Sequence, residues 1–179
     1  MRSMRRLPLL VLASLPTVSA AAVAQSQEPV SALKGHNSDA PIDLTADRLE
    51  VQDRADRAIF AGNVKVRQDE LTLDTSRLTV AYSSSGGVQI KRLDASGGVT
   101  VRSPSETAGG AFGIYDFDRK HITLVRDVVL QREGSSIRGQ RLVIDLDSGR
   151  AVIDGGPAGV GQSGGRVTGH FTVPQRRGS

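Results

Sequence analysis

The feature that most constrains this chain is a β-strand unit that recurs around a few fixed residues. The stretch Phe60–Val66 reappears as Ala95–Val101 and again as Leu124–Leu130, with apolar residues two positions apart in each copy. In a β-strand this spacing places the apolar side chains on one face. A repeated β-unit cannot bury that face alone, so we expect the copies to stack around a continuous interior.

A second set of motifs lies between these copies and follows the same alternation. The spacing from Val51 to Val80, Tyr115 and Ile144 is 29, 35 and 29 residues, and the extra six residues fall in the turn-rich stretch Ser83–Val88. No segment of the body shows a convincing helical period, and turn residues separate the strands at short intervals. The sequence therefore predicts an all-β antiparallel meander with one apolar face and one polar, solvent-exposed face. The second motifs are Asp47–Val51, Ser76–Val80, Gly113–Tyr115 and Gln140–Ile144.

The two ends of the chain differ in composition from the body. Residues 1–24 combine basic residues, a short apolar run interrupted by proline and a small-residue cleavage box, which predicts a signal peptide and an exported protein. Residues 25–40 are polar, and we expect a flexible N-terminal segment there. Residues 41–154 are enough for one domain. Residues 155–179 are rich in glycine and basic, which is typical of a flexible tail.

Composition excludes several classes of function. The chain has no cysteine, so disulfides, thiolate zinc sites and thiol nucleophiles are absent together. Of its 23 basic residues, three precede Leu7 and three follow Gly155, whereas all 19 acidic residues lie within 25–154. That body therefore holds 17 basic and 19 acidic residues, a formal charge of −2. A nucleic-acid partner is not expected, because such a binder concentrates positive charge on its folded body.

The residues give no support for an enzyme. The histidines His36, His121 and His170 are scattered, without carboxylates at ligand spacing, so no metal site is predicted. Asp116 and Asp118 alternate with aromatic residues and are expected to face solvent. The match of Gly159–Gly164 to G-x-G-x-x-G lies in the glycine-rich tail, where no helix can follow to bind a dinucleotide.

The interior is predicted to be lined by Val, Leu and Ile, because the chain has only four Phe, two Tyr and no Trp. Two sheets with such residues would interdigitate fully as an ordinary packed core. Alternatively, they would stay slightly apart and leave a slot wide enough for a hydrocarbon chain. The periodicity does not distinguish the two arrangements.

Five motifs in order resemble the OstA-like family of LptA, the periplasmic component of lipopolysaccharide transport. They are Pro41–Asp47, Gly62–Val66, Leu73–Val80, Gly139–Asp145 and Ser148–Val152. The resemblance covers residues 41–154. It implies an open, twisted antiparallel β-jellyroll built from repeated strand pairs, with a groove for lipid A acyl chains. The lining that the family implies is Ile42, Leu44, Leu49, Val51, Val64, Val66, Leu78, Val80, Val99, Val101, Tyr115, Phe117, Val128, Leu130, Leu142 and Ile144.

The resemblance also implies partners and a location. It implies lipopolysaccharide as cargo, head-to-tail self-assembly, and contacts with LptC-like and LptD-like domains of the same type in the periplasm, with no cofactor and no catalysis. Two alternatives stay open: a β-module that polymerises through its edges and carries nothing, and a component closer to LptC or to the N-terminal part of LptD. Gly113, where other copies have Leu, and the pair Arg126–Asp127 depart from the repeat and leave the register of residues 109–130 open.

Overall fold

A computed structural model of the chain describes Leu33, residues 36–156 and residues 165–172. These residues form ten strands in one antiparallel sheet, with a single 3-10 turn at Asp53–Ala55. The described residues include no helix long and apolar enough to cross a membrane. The strands are β1 (Ile42–Thr45), β2 (Arg48–Gln52), β3 (Arg57–Gln68), β4 (Leu71–Ser83), β5 (Gln89–Arg102), β6 (Glu106–Asp116), β7 (His121–Arg132), β8 (Ser135–Asp145), β9 (Ala151–Asp154) and β10 (Thr168–His170).

The strand order follows the chain, as the predicted meander requires. Strands β3 to β8 pair with their sequence neighbours, while β1 and β2 both pair with β3 and β9 and β10 both pair with β8. The three copies of the repeat form the middles of β3, β5 and β7, and the motifs between them lie in the even-numbered strands. For the described residues the all-β fold class without a significant helix is confirmed, and the sheet is open because its first and last described strands do not pair with each other.

A line of β-bulges crosses the sheet at the fixed residues of the repeat. Gly62 and Asn63 of β3 lie opposite the single residue Ser76 of β4, and Gly97 and Gly98 of β5 lie opposite Ser76 on its other side. All four bulge residues have positive φ, the left-handed conformation that glycine and asparagine adopt most readily. The repeated Gly-Asn and Gly-Gly pairs therefore suit the backbone conformation of the bulges, each of which bends its strand.

The pair Arg126–Asp127 occupies the same position in β7 that the glycine pairs occupy in β3 and β5. Both residues have positive φ, at 63° and 53°, and the register shifts between Val125 and Val128. The third copy thus makes the same bulge without glycine, which settles the register left open by the sequence. The Arg126 guanidinium lies over the exposed ring of Phe112, 5.5 Å from its centroid, and this cation–π contact holds the arginine beside the bulge.

Bending along the bulge line folds the sheet into two facing layers. Tyr115 of β6 donates a hydrogen bond to Gln68 of β3 at 3.2 Å, although these strands are not neighbours in the sheet. We call the layers the β1 layer and the β2 layer after the first strand in each. The β1 layer comprises β1, β10 and residues 64–68, 71–75, 99–102, 106–110, 128–132 and 135–139; the β2 layer comprises β2, β9 and residues 57–61, 77–83, 89–96, 112–116, 121–125 and 141–145.

The segments flanking the domain contribute ordered structure. Within residues 25–40, for which flexibility is predicted, the described Leu33 is buried in the core and residues 36–40 form turns against β3. Within the predicted tail, residues 168–170 form β10. The predicted signal peptide lies outside the described residues, as does the glycine motif 159–164.

Candidate functional site

The inner faces of the two layers form one apolar interior, and the residues predicted to line a groove lie on it or beside it. Ten are buried: Val64, Val66, Leu78, Val80, Val99, Val101, Tyr115, Val128, Leu142 and Ile144. Four are partly buried against them: Ile42, Leu44, Phe117 and Leu130. Two are exposed: Leu49 and Val51. The contact of these residues with lipid stays a prediction.

Other interior residues are absent from the predicted lining. Strict alternation in Leu71–Leu73 and Ile122–Leu124 signals several of them, because these residues continue the apolar face of β4 and β7. Gln68 and Leu33 carry no such signal, since one is polar and the other lies far outside the repeat. The additional buried residues, glycines aside, are Leu33, Gln68, Leu71, Leu73, Thr75, Leu93, Ala95, Glu106, Ala108, Ile122, Leu124 and Leu146.

The middle of the interior is packed. Leu78, Leu124 and Leu142 are fully buried, as are several of their neighbours. A cavity beside Gln68 and Tyr115, within the part of the interior that the structure describes, has a volume of about 20 Å³, which is room for about one water molecule. The structure thus has the packed arrangement at its centre, and an acyl chain can enter there only if side chains or layers move.

At the β1/β2 end of the sheet the two layers leave an open space, which we call the edge cleft. It has a volume of about 500 Å³. Leu44 of the β1 layer and Val51 of the β2 layer both line it, so it lies between the layers. Leu49 and Val51 are each 54% exposed, because among the described strands β2 pairs with β3 alone. The full lining is Leu44, Val51, Asp53, Asp56, Ala58, Phe60, Val80, Tyr82, Ser84, Val88 and Ile90.

The polar part of the edge cleft is acidic. The Tyr82 hydroxyl donates a hydrogen bond to Asp53 at 3.4 Å, and Ser84 donates one to Asp56 at 3.1 Å. Desolvation and the two nearby carboxylates raise the pKa of Tyr82. Negative charge beside an apolar floor favours a neutral alkyl chain in this cleft over an anionic group.

The outer face of the sheet is charged and solvated, as the alternation predicts. Asp74 of β4 accepts a hydrogen bond from Lys65 of β3 at 2.8 Å and forms an ion pair with Arg102 of β5. The hydrogen bond from Lys65 is the main reason that the pKa of Asp74 is lowered. Such cross-strand pairs contribute modestly to stability because water screens them.

Asp116 and Asp118 have structural roles in the turn between β6 and β7. Asp116 accepts a hydrogen bond from the Arg119 backbone at 2.9 Å, which is the main cause of its lowered pKa. Asp118 forms an ion pair with Lys91 at 3.4 Å. Across the part of the chain that the structure describes, no three His, Cys, Asp or Glu side chains are grouped to hold a metal ion.

The histidines are separated and make individual contacts. His36 forms a hydrogen bond with Gln68 at 3.1 Å. The Nε2 atom of His121 lies 3.7 Å from the Oδ2 atom of its cross-strand neighbour Asp145. His170 is an exposed residue of β10. The structure therefore does not bring the three rings together.

Comparison with known proteins places this geometry in a family. Residues 43–150 match the family described as LptA/(LptD N-terminal domain) LPS transport protein. An uncharacterized protein of Rhizobium meliloti (strain 1021) is 33% identical over 154 residues, which cover 81% of this chain and 83% of that protein.

A solved structure shares the fold. It is LptH of Pseudomonas aeruginosa, described as the LptA-homologous periplasmic component of the conserved lipopolysaccharide transport device. It superposes with a TM-score of 0.65 at 19% identity and covers 77% of this chain and 99% of its own. The match confirms the open β-jellyroll, and the family match over the domain shows that the chain belongs to the LptA/LptD N-terminal-domain family of lipopolysaccharide transport proteins.

Proposed function

We propose that this protein carries lipopolysaccharide through the periplasm with the acyl chains held between its two apolar layers, which the chains enter at the edge cleft. The observation that supports this most directly is the cleft itself. Its floor is apolar, it opens between the layers, and exposed Val51 extends it to the free edge of the sheet, where exposed Leu49 lies on the same face of β2. The role needs binding and release but no covalent chemistry.

The free energy of shielding is large enough to make such a cleft useful. Each methylene moved out of water contributes about 0.8 kcal/mol, so ten methylenes contribute about 8 kcal/mol before ordering costs. The packed centre limits how far a chain penetrates in an isolated copy. We propose that the bound chain therefore lies mainly in the edge cleft and extends inward as the layers part.

Assembly through the sheet edges would lengthen the shielded path. Strands β1 and β2 form one free edge and β9 and β10 form the other, so one copy can add to the next by β-strand pairing. The two edges are different surfaces, and such a heterologous contact produces an open filament. At the two ends of the filament, LptC-like and LptD-like domains of the same type would take the place of another copy.

The proposed location follows from the predicted signal peptide at residues 1–24. Export through the inner membrane and removal of this segment would leave the domain in the periplasm, between the membranes that it is proposed to connect. Cell fractionation with antibody detection tests this separately from lipid binding: the processed chain should be found in the periplasmic fraction.

Photocrosslinking in cells tests lipid binding. A photoreactive amino acid at Leu49 or Val51 should give lipopolysaccharide adducts, whereas Glu50, between them on β2 and directed to the other face, is the matched control. Val101, buried in the packed centre, reports how deeply the chains penetrate. Adducts at Leu49 and Val51 but not at Glu50 support the proposal. Equal labelling at Leu49, Glu50 and Val51 contradicts a defined cleft.

A second candidate is a structural β-module that polymerises and carries no lipid. The observation that favours it is the packed interior, with its cavity of about 20 Å³. Absence of adducts at every position in a folded, exported protein, together with filaments in solution, would establish this candidate and exclude lipid transport.

A further inference from the structure

The described residues just before β1 are hydrogen-bonded to one buried side chain, Gln68. We call Leu33 and residues 36–40 the strap. The Gln68 amide nitrogen donates to the carbonyl oxygens of Ser38 and Ala40, both at 2.9 Å. Its carbonyl oxygen accepts from Tyr115 at 3.2 Å and also lies 3.1 Å from the His36 ring nitrogen.

These contacts use the whole hydrogen-bonding capacity of the Gln68 amide, which has two donors and two acceptor sites. Three of the four contacts are with the strap and one is with the opposite layer. Gln68 is 2% exposed in an interior that is otherwise almost wholly apolar. A buried amide whose partners lie mainly in one short segment fixes that segment specifically, because losing the segment would leave the amide unsatisfied.

The strap also packs against the core. Leu33 is 4% exposed and joins the buried cluster. Residues His36, Ser38 and Ala40 are partly buried, while Asn37 and Asp39 between them face solvent. The strap therefore has an inner and an outer side, although it is not a strand.

The strap adjoins the small cavity of the interior through Gln68, which it contacts and which lines that cavity. Gln68, which is bonded to the strap, and Tyr115, which is bonded to Gln68, line that cavity together with Ile42. Leu44, two residues further along the same face of β1, lines the edge cleft. Because two residues of a strand span about 7 Å, the cavity and the cleft are separated by little more than the β1 side chains.

We infer that the strap is a displaceable lid on the Gln68 end of the interior, and that an alkyl chain advancing from the edge cleft past β1 releases it. In the closed state the strap fills this end and the interior is packed. In the open state the cavity joins the edge cleft as one slot. This inference depends on the proposed lipid binding, since an alkyl chain is the occupant that an apolar slot accepts.

The chain has no cysteine, so one introduced cysteine can carry a nitroxide label at a unique position. Asp39→Cys labels the outer side of the strap, and Asp43→Cys labels the outward face of β1 as a control. With purified lipid A as the probe, the Asp39 label should change from immobile to mobile on titration, while the Asp43 label stays unchanged. If the Asp39 label stays immobile while a photoreactive residue at Val51 crosslinks to lipid, the inference of a lid is wrong and lipid binding stands. If Val51 gives no crosslink, the proposed function itself is contradicted.

Variants that weaken the strap should bind lipid A more tightly, because binding no longer has to displace a stable lid. Each net hydrogen bond corresponds to about a fivefold change in the closing equilibrium. His36→Ala, outside the sheet, should raise the affinity about fivefold, and Gln68→Leu should raise it further. Asp43→Ala should leave the affinity unchanged. If His36→Ala and Gln68→Leu both fold and both leave the affinity unchanged, the strap does not oppose binding.

Discussion

Replacing Gly113 by leucine tests whether the interior is packed or contains a slot. The other copies of the repeat have Leu49, Leu78 or Leu142 at this position, so Gly113→Leu restores the repeat. Gly113 is buried in β6, and a Cβ there would lie 3.0 Å from a methyl of Val99 and 3.1 Å from one of Leu124. Both distances are shorter than ordinary van der Waals contact, and the rest of the leucine side chain would need still more room.

The two interpretations predict changes of opposite sign in the free energy of unfolding. In a packed interior, overpacking should destabilise the protein by about 1–3 kcal/mol. In an interior with a vacant slot, burying a leucine should stabilise it by up to about 1.5–3 kcal/mol, with roughly 0.5–1 kcal/mol more from replacing a strand glycine. The cavity of about 20 Å³ beside Gly113 is too small for a leucine side chain, so the structure predicts the loss.

Urea unfolding followed by circular dichroism measures the change, with an unchanged m-value as the condition for interpreting it. The control is Gly109→Ala in the same strand, where the nearest atom to a new Cβ is the Val99 carbonyl oxygen at 3.7 Å. That variant should be neutral or slightly stabilising. A Gly113→Leu protein as stable as the parent would refute the packed interior and favour a preformed slot.

Three further predictions follow from the bulges, the outer face and the cleft. Gly97→Val should destabilise the fold by more than about 2 kcal/mol, because φ at Gly97 is +84° and the new Cβ would lie 2.9 Å from the Ser76 side chain. The control Gly98→Ala has open space around the new Cβ and should cost only about 1–2 kcal/mol of backbone strain, and thermal melts of the two variants measure the difference. The pKa of Asp74 lies below its ordinary 3.8, so the contribution of Asp74 to stability is present above pH 3.8 and is lost as pH falls through the folded-state pKa. In Asp74→Asn the free energy of unfolding should therefore fall less steeply as pH is lowered, with a difference of less than about 1 kcal/mol. Val51→Asp should abolish lipid A binding in the edge cleft without lowering the melting temperature, because Val51 is 54% exposed; a fluorescent lipid displacement assay checks it.

Most of the fold follows from the sequence because alternation is a local property. The apolar positions two apart in Leu71–Leu73 or Leu142–Ile144 fix both the strand and its inner face, and the glycine pairs mark the bulges. The bulge at Arg126–Asp127 is less evident because neither residue is glycine, although aspartate adopts positive φ more readily than most residues. It lies in line with the bulges of β3 and β5, and Arg126 contacts Phe112 there.

The candidate site is predictable only in part, because its shape depends on contacts distant in sequence. Alternation places Val51 and Val80 on the same face as buried Leu142, but it does not reveal that the layers pack at the centre and separate at the β2 edge. The strap is also not evident, because Gln68 looks like an ordinary polar residue at a strand end until residues 36–40 are seen against it.

The divided edges of the sheet have a consequence for selectivity. At one edge the strand is interrupted at Asp47 between β1 and β2, and Asp47 is hydrogen-bonded to Gly62 and Asn63 of the bulge line. At the other edge β9 ends at Asp154 and β10 starts at Thr168. An unrelated flat strand can therefore pair with only three to five residues before it meets a bend. A strand with a bend at the matching place can continue across it, so the geometry that discourages indiscriminate aggregation also admits a copy of the same fold.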